Sequence, residues 1–147
     1  MKLNEIYYKK IKSNHPKGNI LLLHGLTGDT NRWRKYVKYL KKNYNLLLID
    51  LIGHGNSDSP KKLEEFSQLI HAKKILQILK KEKIKKVICI SHSYSAGIAL
   101  EMIKKSPSKL KSLIMISPLF LESNISLKKK IKYIKVFARN PNLLRGG

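Results

Sequence analysis

Short apolar runs at residues 19–23, 46–50, 87–90 and 111–117 punctuate this chain, and the segments between them carry apolar residues at helical spacing. Trp33, Tyr36, Val37 and Leu40 recur at i, i+3, i+4 and i+7, with Asp29 or Thr30 placed to cap that helix. Ser67 reads as the N-cap of a second helix marked by Leu69, Ile70, Ala72, Ile75, Leu76 and Leu79. Ala96, Ala99, Leu100 and Ile103 mark a third, closed by Pro107. Apolar strands alternating with amphipathic helices require a mostly parallel sheet covered on both faces, because parallel strands need long crossovers. The expected order places the 87–90 strand centrally, between 19–23 and 111–117, with 46–50 outside 19–23. Residues 5–12 read as an edge strand.

Three of these runs end in residues with chemical potential. Residues 87–97 read VICISHSYSAG, so a buried strand must reverse into a helix within Ser-His-Ser-Tyr-Ser. A nucleophilic serine on such a turn needs small neighbours two places away on either side, where strand and helix backbones crowd. Ser91 and Ser95 hold those places around Ser93, in a degenerate form of Gly-x-Ser-x-Gly. On this segment alone, a serine-rich loop explains the residues equally well. Residues 18–28 read GNILLLHGLTG, a strand running into His24-Gly25. Residues 46–58 read LLLIDLIGHGNSD, a strand running into Asp-x-x-Gly-x-Gly-x-Ser.

This ordered set, His24-Gly25, then Asp50 to Ser57, then the turn at Ser93, resembles the α/β-hydrolase superfamily over residues 18–120. The resemblance implies an α/β fold: a parallel-sheet α/β-hydrolase core lacking its last strands, followed by the beginning of a helical cap. It divides the chain into a partial core, 1–118, and the start of a cap or a tail, 119–147. It implies Ser93 as the catalytic nucleophile of an esterase, lipase or peptidase-like enzyme. The backbone amides of Leu26 and Tyr94 would form the oxyanion hole. His24, Gly25, Asp50, Gly53, Gly55 and His92 would be motif residues with structural work: His24 bracing the oxyanion loop, His54 packing, and His92 turned away from the serine. Ser95 is the rival nucleophile but would lie too deep in the helix, and Ser91 too close to the strand.

A serine hydroxyl needs a base to take its proton, normally a histidine oriented by a carboxylate. In the resembled family both follow the serine in the chain. After Ser93 this chain has two acids, Glu101 and Glu122, and no histidine; His15, His24, His54, His71 and His92 all precede it. The expectation is the N-terminal half of a hydrolase, whose last strand would be an exposed edge and which a complementing C-terminal half would complete. A non-catalytic ligand-binding or regulatory module that keeps the pocket without the triad is the alternative.

The net charge of +22 suggests acidic partners, but its source argues otherwise. The chain carries 27 Lys and 4 Arg, with the lysines paired along helix faces and loops, whereas arginine is the better reader of phosphates and bases. No specific nucleic-acid partner is expected. The tail at 126–138 can form a basic amphipathic helix, Leu127, Ile131 and Ile134 on one face, suited to weak contact with an acidic membrane or to a cap. No metal-ligand spacing and no phosphate-cradling glycine loop appears, so no metal or cofactor is expected; the partner is a small ester, amide or lipid-like substrate. One cysteine, Cys89, in mid-strand, and an N-terminus without an apolar leader core point to a cytoplasmic protein.

Overall fold

The computed structural model describes residues 5–119. Five strands, β1 (Tyr8–Ile11), β2 (Asn19–Leu23), β3 (Asn45–Ile49), β4 (Val87–His92) and β5 (Leu110–Ile116), form one sheet in the order β1-β3-β2-β4-β5. β2 to β5 run parallel, and β1 closes the outer edge antiparallel to β3. This is the order read from the sequence, with β2 and β4 at the centre.

Side chains alternate across the sheet and both faces are covered, which is why the central strands read as continuous apolar runs. Leu21, Leu23, Leu47, Ile49 and Cys89 pack with α2 (Gln68–Lys81) and α3 (Ser95–Lys105). Ile20, Leu22, Leu46 and Leu48 face the other way, onto Trp33 and the short α1 (Arg34–Leu40). Cys89 is buried, and burial pushes its thiol up to about 12, so it stays protonated and inert.

Two helical faces depart from the periodicity. Asp29 caps a 3-10 turn, Thr30–Trp33, by accepting from the Asn31 amide, and α1 begins only at Arg34. That tighter turn shifts the helical phase. Trp33 is buried, whereas Tyr36, expected beside it on the sheet, is 57% exposed. In α2, Ser67 is the N-cap as expected, its Oγ accepting from the Ile70 amide, but Leu69 lies exposed and the buried stripe instead includes His71.

β5 is unlike the strands beside it. Ile114, Met115 and Ile116 are all exposed, on alternating faces, as is Leu119 just beyond. The far side of β5 has no strand partner among the described residues. The expected tail helix and cap, and Glu122, fall outside the described residues. No helix among the described residues is long and apolar enough to cross a membrane.

Candidate active site

The carboxyl ends of β2, β3 and β4 bring the three sequence motifs together, as open α/β sheets do with their ligand sites. Ser93 follows β4 directly and carries φ +54°, a left-handed conformation that costs a serine roughly 1–3 kcal/mol. Main-chain bonds over-determine it. The Ser93 amide donates to the Ile116 carbonyl (3.0 Å), and the Ser93 carbonyl accepts from Leu119 (3.2 Å) and Ala96 (3.1 Å).

The serines around it have different situations. Ser95 is fully buried; its Oγ accepts from the His92 amide (3.0 Å) and lies within donating reach of the Leu23 (2.9 Å) and His92 (3.0 Å) carbonyls. Its hydroxyl ties the turn to the end of β2. The Ser91 Oγ is buried without a partner among the described residues. Gly97 lets α2 approach, since a Cβ there would run into Gln68, whose Nε2 donates to the Tyr94 carbonyl (3.2 Å). The Tyr94 ring is buried, with its hydroxyl donating to the Phe66 carbonyl, and burial pushes the phenol up.

The loop after β2 passes against this turn. A Cβ added at Gly25 would lie 2.9 Å from the His92 Nδ1 and 3.1 Å from the Ser93 Cβ, so only glycine permits the approach. The His92 ring lies against this loop. Its ring nitrogen borders the same glycine, buried and without a partner among the described residues. Burial, and then the nearby Arg32 charge, lower its pKa.

His24 fixes that loop. Its Nε2 accepts from the Leu51 amide (2.9 Å), so its proton sits on Nδ1 and is donated to the Gly25 carbonyl (2.7 Å). The Gly28 amide donates to the same oxygen (3.1 Å). The Gly25 carbonyl and the Leu26 N–H share one trans peptide, so pinning the oxygen aims the N–H the opposite way. Among the described residues, neither the Leu26 nor the Tyr94 amide makes a hydrogen bond. Burial, and then the neighbouring His54 ring, lowers the His24 pKa to about 3.

The loop after β3 is organised by Asp50. Its buried carboxylate accepts from the amides of Thr30 (2.7 Å) and Asn56 (2.9 Å), and its carbonyl accepts from the Ser57 hydroxyl (2.6 Å). Each charged hydrogen bond contributes about 1.5–3 kcal/mol. Gly55, at φ +50°, passes so close that any Cβ would overlap the carboxylate; Gly53 is likewise left-handed at φ +78°. Asp50 thus folds the loops, with both oxygens occupied by main chain.

Two histidine contacts were not readable from motif spacing. His71 accepts from the Ile52 amide (3.0 Å) through Nε2 and donates from Nδ1 to the Ser67 carbonyl (2.9 Å); burial lowers its pKa to about 4. Its place with Ile75, Ile78 and Leu79 on one helical face was the available signal. His54, also buried, sets Nε2 against the Leu26 carbonyl (2.7 Å) and Nδ1 against the Ile52 carbonyl (3.1 Å). The fifth histidine, His15, lies between β1 and β2, at the opposite end of the sheet.

A cavity of about 450 Å³ also opens at that opposite end, lined by Lys10, Ser13, Asn19, Asn45, Glu82 and Ile84 among others; the three motif loops contribute nothing to it. Among the described residues no cluster of His, Cys, Asp and Glu could hold a metal ion.

The fold that positions these loops is shared with known proteins. Residues 18–140 match the family model of the alpha/beta hydrolase fold. The chain belongs to that family. An esterase from Exiguobacterium antarcticum superposes with a TM-score of 0.70 at 25% identity, covering 78% of this chain and 42% of its own. Epoxide hydrolase 3 of Siraitia grosvenorii is 30% identical over 106 residues, 71% of this chain and 34% of that protein. An uncharacterized protein of Mycobacterium tuberculosis is 25% identical over 126 residues, 86% of this chain and 36% of its own length. The chain therefore spans less than half the length of each of these relatives. Hydrolase chemistry is the common property of the two relatives whose activity is named.

Proposed function

We propose that Ser93 is the nucleophile of a serine hydrolase acting on a small ester, amide or lipid-like substrate, with the Leu26 and Tyr94 amides stabilising the oxyanion. The left-handed Ser93 at the strand-to-helix apex carries this reading. The esterase likeness favours acyl chemistry, and the two amides lacking partners among the described residues are the kind of donors an oxyanion needs. Ser95 is set aside because its hydroxyl is engaged by buried main chain.

The base comes from outside residues 5–119. His24 and His71 use both ring nitrogens on main chain, His54 lies between two carbonyls, His92 borders Gly25, and His15 is at the far end. The acid and base belong to a complementing segment that docks along β5, where four large apolar residues stand exposed. The same histidine accounting supports a second reading, a ligand-binding module without turnover.

Labelling by a fluorophosphonate and turnover of an activated ester separate them. The chain alone should react slowly, at the level left by binding and oxyanion donors, while a C-terminal half bearing an acid and a histidine should raise both rates. Ser93→Ala should abolish the gain, and Ser95→Ala should leave much of it. Fast, Ser93-dependent turnover by the chain alone would overturn the missing-base argument; labelling unaffected by Ser93→Ala would overturn the nucleophile.

A further inference from the structure

We infer that His54 is a positioning residue for the oxyanion hole: its Nε2–H grips the Leu26 carbonyl and, with His24 on the Gly25 carbonyl, locks two consecutive peptides of the loop that presents the Leu26 amide. The inference rests on the proposed role of that amide and adds a residue to it.

The geometry is that of a two-point clamp. The loop after β2 has no helix or strand to hold it, so its peptide planes are set by whatever binds their oxygens. His24 holds the oxygen of the 25–26 peptide at 2.7 Å, and His54 holds that of the 26–27 peptide at 2.7 Å. A peptide plane fixed on one side alone can still swing about the bonds of Leu26; fixing the next plane removes that freedom. A carbonyl oxygen can only accept, so the 2.7 Å contact with Leu26, the shorter of the two that His54 makes, is a hydrogen bond in which Nε2 carries the proton. The ring is buried and its centroid lies 5.3 Å from that of His24, so the two clamps brace one another. His54 arrives on the β3 loop, whose backbone is pinned by His24 at Leu51 and by His71 at Ile52. The clamp therefore transmits the order of the β3 loop to the oxyanion loop.

The test compares His54→Phe, which keeps a ring without a donor, with His54→Gln, which offers an N–H at a similar reach. Fluorophosphonate labelling of Ser93, measured per folded molecule with imidazole added as base, should fall about tenfold or more in His54→Phe, since displaced oxyanion donors cost rates of that order or larger. His54→Gln should recover most of it. A purely structural histidine would lower the unfolding temperature of both variants and leave the labelling rate of folded protein unchanged, and that outcome would overturn the inference. Nitrogen–proton correlation spectra of the wild-type chain give an independent reading: the His54 proton is expected on Nε2, and a proton found on Nδ1 alone would overturn the clamp. If wild-type Ser93 does not label at all, the nucleophile reading fails by itself. The clamp is then judged by the Leu26 amide resonance, expected to shift in His54→Phe and to return in His54→Gln; a resonance unmoved by His54→Phe would overturn it.

Discussion

The β3 side of the sheet and the β5 side are finished to different degrees. Beyond β3, Asp50, His24 and His71 satisfy loop amides from buried positions, and the strand is covered on both faces. At β5, isoleucine and methionine side chains stand in the open on both faces of a strand with a free edge among the described residues. A sheet edge and apolar faces left like this are surfaces that natural proteins normally cover. The difference teaches that the motif loops at the β2 and β3 ends are ordered by contacts within residues 5–119, while β5 carries apolar side chains that nothing among the described residues covers; on the proposed function, β5 is the side from which acid and base would dock. Net charge of +22 opposes the simplest alternative cover, a second copy of the same chain.

The largest effect that would break this contrast is a core truncation on the finished side. Leu21→Ala, at a fully buried position in β2, should cost about 2–5 kcal/mol in urea unfolding. Ile114→Ala on β5, half exposed, should cost within about 0.5 kcal/mol. Equal costs would mean that β5 is covered in solution.

Acid should strike the finished side next. His24 and His71 have folded pKa values of about 3 and about 4, below the ordinary 6.5. The unfolded chain therefore binds protons that the folded chain refuses. Stability is fully present above pH 6.5 and is lost as pH falls from there, through about 4 for His71 and about 3 for His24, on the order of 3 kcal/mol for His71 alone. His71→Gln should flatten that slope in pH-dependent thermal melts; an unchanged slope would remove His71 from the account.

A smaller effect is expected at the turn. Ser95→Ala leaves the His92 amide and the Leu23 carbonyl short of a partner, and should cost about 1–3 kcal/mol of stability without stopping Ser93 labelling. The smallest thermodynamic change, with the clearest physical readout, is Ile114→Thr combined with Met115→Lys. Stability should hardly move, while aggregation measured by light scattering should fall and any gain from a complementing half should weaken.

Much of this architecture was legible in the residues. The strands and their mostly parallel sheet followed from apolar runs alternating with helical spacing, while β5 as an exposed edge was expected only from the family resemblance. The places of Ser93, Gly25 and Asp50 at one end of the sheet followed from motif order. What periodicity could not carry was the contact of a side chain with someone else's backbone. The His54 and His71 bonds to the main chain of Leu26 and Ile52 depend on loop paths, not on spacing. Tyr36 was misplaced because a 3-10 turn shifts helical phase without changing composition.

One main-chain detail ties the two sides together. Ser93 is held in its left-handed form through Ile116 and Leu119, one at the end of β5 and the other just beyond it. The Ser93 backbone thus hangs from the least protected strand, and local opening there releases it. In hydrogen-exchange terms, the Ser93 amide should exchange with β5 and not with β4, and anything that pairs with the free edge should slow it. Assembly along that edge and readiness of the serine would then be a single equilibrium observed from two ends.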